Sequence, residues 1–225
     1  MKIIQLALVP LFLALSTSAQ IVSISPFTGT LSETFEGMPT GFQSTPWQIM
    51  GGAASFASST GSAIVGSPGV FGFGIGSNDD NTSNNSAQPS DGSKFLGIDQ
   101  GGAASATGTI TFTQTVSQFG AFFGNSDNGS GSPTGFTVKL FDTGNAQIGS
   151  DQIFNYSRPG KDGLLEWHGW QSSVPIQKVT FESNFPVADG FQATPVPEPK
   201  EWAVVAGVRL LSFAAVRRHR KIPQT

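Results

Sequence analysis

A period-two alternation of apolar and polar residues through the middle of the chain limits its fold more than any other feature. Ile110 and Phe112 alternate with Thr109, Thr111 and Thr113, and Phe136, Val138 and Leu140 alternate with Thr137 and Lys139. Successive side chains of a strand point to opposite faces, so this pattern sets one face on a core and the other in water. A helix would need its apolar residues three and four positions apart. After a short polar break, Phe119, Ala121 and Phe123 take the pattern up again. Asp142-Thr143-Gly144-Asn145 supplies turn residues between a strand ending at Phe141 and one through Ile148, which predicts a hairpin. Further strands are expected at Thr34 to Glu36, Trp47 to Met50, Phe95 to Ile98, Gln152 to Tyr156, Leu164 to Trp167, Lys178 to Glu182 and Gly190 to Ala193. Short strands punctuated by Gly, Pro, Asn and Asp predict an all-β body over residues 20–194, an antiparallel sandwich of two sheets packed face to face.

The two ends read differently. Lys2, the apolar stretch from Ile3 to Leu15 and the small residues Ser16, Thr17, Ser18 and Ala19 have the charge, length and cleavage chemistry of a secretory signal peptide. Residues 1–19 are therefore expected to form a signal helix that engages the Sec export machinery and is cut before Gln20. The plainer alternative is a buried N-terminal helix. At the other end a Pro-rich linker, residues 195–200, carries Pro197-Glu198-Pro199. Residues 201–225 follow as an expected hydrophobic helix, apolar from Trp202 to Val216, and a basic tail with Arg217, Arg218, Arg220 and Lys221. Basic residues beside an apolar segment stay on the cytoplasmic side, which puts the body outside. Fifteen residues rise only about 22 Å as a helix, against roughly 30 Å of hydrocarbon. Arg209, in the middle of the run, adds a cost of about 2.5 to 3.5 kcal/mol on insertion scales. Such a segment suits a transient stop better than a permanent anchor, although an ordinary C-terminal anchor behind a proline-rich linker is the alternative.

Composition narrows the chemistry of the body. The chain has no cysteine, so neither disulfides nor thiol chemistry are available to it. Between Gln20 and Pro199 there are fourteen acidic and five basic residues, a net charge of −9, which argues against nucleic acid as a partner. His168 is the one histidine outside the tail, so a histidine metal cluster cannot form, and any serine triad would have to use that residue. No Gly-x-Ser-x-Gly elbow, Walker loop or dinucleotide fingerprint occurs. Paired carboxylates for glycoside hydrolysis stay open, because their separations cannot be read from a sequence. The inventory favours a protein that is not an enzyme.

Three groups of residues are candidate sites. The stretch from Ser77 to Ser93 is rich in Asn, Asp and Ser and reads as a long surface loop. Its Asp79, Asp80 and Asp91 have oxygen ligands suited to calcium but not the spacing of an EF-hand. If the strands near Glu36 and after Asp189 lie side by side, Glu33 or Glu36 together with Asp189 would offer carboxylates to one structural calcium. Otherwise these acids face water or cap turns. Trp167 and Trp170 are the most suggestive aromatic pair: exposed on one face they would stack on sugar rings, and turned inward they would complete the core.

The order Pro197-Glu198-Pro199, then Glu201-Trp202-Ala203, the apolar run and Arg217-Arg218-His219-Arg220-Lys221 closely resembles the PEP-CTERM sorting signal of exported bacterial proteins. The resemblance covers about the last thirty residues. It implies recognition by an exosortase, a membrane-embedded processing enzyme resembling a cysteine protease, often in bacteria that make extracellular polysaccharide. Arg209 departs from the small or apolar residue usual in such tails. The body resembles exported proteins of the same group in the stretches Glu33-Thr34-Phe35-Glu36-Gly37, Phe119-Gly120-Ala121-Phe122-Phe123, Val138-Lys139-Leu140-Phe141-Asp142, Gly169-Trp170-Gln171-Ser172, Ile176-Gln177-Lys178-Val179-Thr180-Phe181 and Asp189-Gly190-Phe191. That likeness implies a jelly-roll-like sandwich and no particular activity. The expectation is an exported cell-envelope or extracellular-matrix protein with a structural, adhesive or binding role. The alternatives are a carbohydrate-binding module, with extracellular polysaccharide as its partner, and a glycan-active enzyme.

Overall fold

The computed structural model describes residues 20–67, 89–98, 105–125, 135–155, 165–183 and 186–197. Their regular structure is almost entirely antiparallel strand: β1 (Ile21–Ser23), β2 (Leu31–Glu33), β3 (Gly41–Ser44), β4 (Trp47–Ile49), β5 (Ala54–Ser58), β6 (Ser62–Gly66), β7 (Phe95–Gly97), β8 (Ala106–Asn125), β9 (Gly135–Phe141), β10 (Gln147–Asn155), β11 (Glu166–Ser183) and β12 (Pro186–Pro195). Among the described residues no helix is long and apolar enough to cross a membrane. The expected signal helix and hydrophobic tail lie outside the described residues, as do Glu198, Pro199, Arg217, Arg218, Arg220 and Lys221.

The predicted antiparallel, all-β character holds. The two layers of the expected sandwich are continuous with each other, because pairing joins all twelve strands into one sheet. The cause is the length of β8 and β11, which run alongside each other and take different neighbours at their two ends. One half of β8, Gly108 to Phe112, pairs with β5, and β4 continues beyond β5. On its other side this half meets Lys178 to Ser183 of β11, and β9 and β10 follow. The other half of β8 pairs with Glu166 to Gln171 of β11 and with β12. Here β1 lies outside β11, β7 and β2 share the far edge of β12, and β6 and β3 continue from β7.

These two halves face each other. Phe181 sits opposite Gly108 in the register, and Phe123 lies fifteen residues further along β8. A straight strand would separate those positions by about 50 Å, yet the Phe123 and Phe181 rings lie 5.7 Å apart. The β8–β11 ribbon therefore folds back on itself, and its register shifts fall between Gln171 and Lys178, at the bend. Strands that pass from one layer to the other through irregularities of this kind make the corners of sandwiches. The polar break after Thr113 is this corner, not a gap between two strands.

The core between the layers is aromatic. Phe123 packs on Phe136 at 5.1 Å, Phe181 meets Phe191 at 6.2 Å, and Phe112 meets Phe119 at 6.0 Å. These side chains are all buried, as the alternation requires. At Gly108 the Phe181 ring lies directly on the backbone: a Cβ there would come within 2.3 Å of Phe181 Cζ. The predicted hairpin joins β9 to β10, with Asp142 Oδ1 accepting from the amides of Gly144 at 2.8 Å and Ala146 at 2.9 Å. The strand expected at Thr34 to Glu36 instead lies at β2, three residues earlier. Phe35 has a positive φ of 62°, which ends extended structure there.

Candidate functional site

Trp167 and Trp170 do not form the shared face expected of them. They are three residues apart on one strand, so their side chains leave opposite faces of the sheet. Trp170 points into the core, 2% exposed, between Phe123 and Phe154. That removes it as a sugar-stacking residue. Trp167 is half-buried on the outer face of the second layer.

The indole of Trp167 rests on two glycines that pair across β8 and β11, Gly120 and Gly169. A Cβ on Gly120 would come within 2.5 Å of Trp167 Cζ2, so only a bare backbone admits the ring. Its Nε1–H donates to the Ile24 carbonyl at 3.1 Å. Phe122 meets the indole edge-on at 5.2 Å, and Phe27 does so at 5.7 Å. Both phenylalanines are half-buried. Phe27 arrives on the segment between β1 and β2, which crosses this outer face. Ile24 N–H donates to the Gly169 carbonyl at 2.9 Å, and Gly29 N–H donates to Gln192 Oε1 at 3.0 Å. A Cβ on Gly29 would lie 2.4 Å from the Ala193 carbonyl oxygen, so the strap runs hard against β12. Trp167, Phe27 and Phe122 thus form an aromatic patch outside the main core.

The acids once considered for calcium each hold loop amides instead. The strands do lie together, Glu33 pairing with Phe191, but the carboxylates serve different turns. Glu33 accepts from the amides of Phe35 and Met50, each at 2.9 Å. Both residues have positive φ, 62° and 53°, so the carboxylate stabilises two left-handed positions that non-glycine residues seldom adopt. Glu36 accepts from Ser93 N–H at 2.7 Å and Lys94 N–H at 2.6 Å. The Ser93 amide, ahead of its hydroxyl and Lys94, holds the Glu36 carboxyl below its ordinary value. Asp189 Oδ2 accepts from Ser90 N–H and Ser90 Oγ, each at 2.8 Å, and from Asp91 N–H at 3.3 Å. Among the described residues no group of three or more His, Asp or Glu side chains is gathered in one place. Glu33, Glu36 and Asp189 thus act as turn clamps, each carboxylate engaged by backbone amides. Asp79 and Asp80 lie outside the described residues, and Asp91 serves through its backbone in the Asp189 clamp.

Asp189 is fully buried, and its Oδ1 has no hydrogen-bond partner among the described residues. Burial pushes its carboxyl up to about 6, partly offset by the Ser90 hydroxyl and nearby amides. The clamp adjoins the aromatic patch. Asp189 pairs with Phe122 across β8 and β12, and a Cβ on Gly190 would lie 2.9 Å from Ser90 Oγ and 3.2 Å from the Phe122 ring. His168 stacks on Phe154 at 3.7 Å, 3.8 Å from Glu166 Oε2, and burial lowers its pKa. Pro197 is exposed just beyond the last backbone bond of the sheet, Val196 N–H to the Thr115 carbonyl at 2.9 Å.

Sequence reasoning missed Phe27, Phe122, Gly120, Gly169 and Ser90. Phe122 was visible as the residue that breaks the alternation of Phe119, Ala121 and Phe123, since an apolar ring out of phase must emerge on the other face. Parity alone separates Trp167 from Trp170.

No protein-family model matches the chain, and no curated protein matches it. Among solved structures it is similar to the CBM22-1 xylan-binding domain from Paenibacillus barcinonensis, with 12% identity, TM-score 0.37, and coverage of 77% of this chain and 99% of that one. It is also similar to the lectin binding domain of Lectinolysin, with 14% identity, TM-score 0.29, and coverage of 58% and 90%. A third likeness is to the enzymatically active domain of bacteriophage CBA120 tailspike protein 4, with 10% identity and TM-score 0.34. There the match covers 64% of this chain and only 19% of the other. Overlap at this level carries no argument about what the chain binds.

Proposed function

We propose that this is an exported, non-enzymatic carbohydrate-binding protein of the cell envelope or extracellular matrix, with a jelly-roll-like body. It is delivered by a cleaved Sec signal and held transiently at the membrane by the PEP-CTERM-like tail until an exosortase-like enzyme processes it near Pro197-Glu198-Pro199. The observation that carries the binding role is the patch of Trp167, Phe27 and Phe122. These three rings lie outside the main aromatic core, half-buried on an outer face, where Phe122 also packs against a smaller buried cluster of Ile64, Phe95, Leu165 and Val187. Aromatic surface of this kind stacks on the apolar faces of sugar rings, and an apolar patch rimmed by polar groups marks an interaction site. The Ser90–Asp91 turn supplies the polar rim. Exposure of Pro197 beyond the sheet supports access of a processing enzyme to the motif.

The test is affinity electrophoresis of the exported protein in gels containing the host's extracellular polysaccharide. Retardation is expected for the native protein. Trp167→Ala is expected to weaken it by about five- to thirtyfold, as loss of a stacking contact worth roughly 1 to 2 kcal/mol would. Trp167→Phe, which keeps a ring on the glycine floor, is expected to retain most of it. Equal retardation of all three, with the β circular dichroism signal unchanged, would overturn the assignment.

A further inference from the structure

Gln20 stands where the export reading and the sheet meet. It is the residue expected to become the N-terminus after cleavage, and it forms the last rung of the pairing between β1 and β11. Its N–H donates to Ser173 Oγ at 3.0 Å, and its carbonyl accepts from Ser173 N–H at 3.1 Å. The residue is exposed, and its side-chain amide makes no hydrogen bond among the described residues, so nothing holds that amide away from the backbone nitrogen.

Cleavage before Gln20 would turn that nitrogen into an α-ammonium group with three donors and a positive charge. The sheet offers it one acceptor, Ser173 Oγ. A lactam nitrogen carries a single N–H and no charge, which matches one acceptor, and the main-chain carbonyl of the residue still accepts from the Ser173 amide. We infer that Gln20 is a modification site, converted to pyroglutamate in the mature protein. The inference rests on the export reading proposed above.

The chemistry closes within the residue itself. The unprotonated α-amino nitrogen attacks its own side-chain carbon Cδ, a new N–Cδ bond forms and the Cδ–Nε2 bond breaks. The side-chain nitrogen leaves as ammonia, carrying a proton given up by the α-amine. Nothing is oxidised or reduced, and no co-reactant is consumed. The ring removes the free amine that an aminopeptidase needs. That matters here because β1 leads directly to Ile24, whose carbonyl accepts from Trp167, and to Phe27 of the patch. Trimming from Gln20 would release the strap that completes the proposed binding face.

The experiment takes exported protein from the native host, acidified at harvest. Free amines are then dimethylated before digestion with an endopeptidase that cuts after Glu33, and the N-terminal peptide is read by mass spectrometry. A synthetic peptide of residues 20–33 with a free amine is added at harvest and must emerge labelled, so that cyclisation during handling is measured directly. The expected result is an unlabelled peptide of residues 20–33 lighter by one ammonia. The Gln20→Ala protein, which cannot cyclise, is expected to give a labelled peptide. A labelled Gln20 peptide of full mass would overturn the inference while leaving the export reading intact. A peptide that retains residues before Gln20, or starts beyond it, would overturn the cleavage reading and the inference with it.

Discussion

Among the described residues Asp189 receives three hydrogen bonds on Oδ2 and none on Oδ1, and it is fully buried. Its carboxyl is raised from 3.8 to about 6 by burial, so the folded state binds this proton more tightly than the unfolded chain does. The stability contributed by protonated Asp189 is therefore complete below pH 3.8 and is lost as pH rises through about 6. Asp189→Asn removes this dependence while keeping an oxygen for Ser90. Compared by urea denaturation at pH 4 and pH 7, the native protein is expected to lose on the order of 3 kcal/mol relative to the variant between these conditions. A difference that does not change with pH would contradict the burial of an ionisable group here. Glu36 responds in the opposite sense: amide donors lower its carboxyl, so its contribution is present at neutral pH and is lost in acid. The carboxyls of Glu36 and Asp189 are thus shifted in opposite directions. The sequence offered all of these acids as candidates but could not assign their roles. The amides that bind Glu36 and Asp189 are 57 and 99 residues away in the chain, and only the fold brings them together.

At the scale of elements, the alternation from Thr109 to Leu140 located β8 and β9, and Asp142 with Gly144 and Asn145 located the hairpin, because these signals are local. Three things were illegible for a physical reason. β5 and β6 are built largely from Ala, Ser and Gly around Phe56, Ile64 and Val65, a composition that also suits loops, and pairing with β8, β3 and β7 decides the matter. β8 and β11 were read as separate short strands, because a polar break looks the same whether the chain turns away or bends while still paired. The crossing of the outer face by the segment from Ile24 to Gly29 leaves almost no sequence trace. Gly29 is its one mark, fitting where no side chain could approach the β12 backbone. Of the three rings of the candidate site, one was legible on these terms. Trp167 was singled out, while Phe27 could be placed beside it only by that crossing, and Trp170 was included only because its parity was not applied.

For the molecule as a whole, both ends of the sheet leave at the corner. Gln20 is tied to Ser173, and Val196 to Thr115, on either side of the bend where β8 and β11 pass between layers. A tail continuing from Pro197 would hold the body by this corner, with the patch along the outer face of one layer. If the tail is a processed sorting signal, the intact mass of surface and released protein should correspond to a chain from Gln20 ending between Pro197 and Lys200. Retention of Trp202 to Thr225 in the membrane fraction would instead indicate a plain anchor. Site-resolved fluorine NMR tests whether the outer aromatic patch takes the carbohydrate proposed for it. The protein is labelled with 5-fluorotryptophan and titrated with oligosaccharides from the host's extracellular polysaccharide. The Trp167 resonance, assigned by Trp167→Phe, is expected to shift saturably while that of buried Trp170 stays in place. A titration that leaves Trp167 unmoved at saturating oligosaccharide, or that moves Trp47 alone, would contradict it.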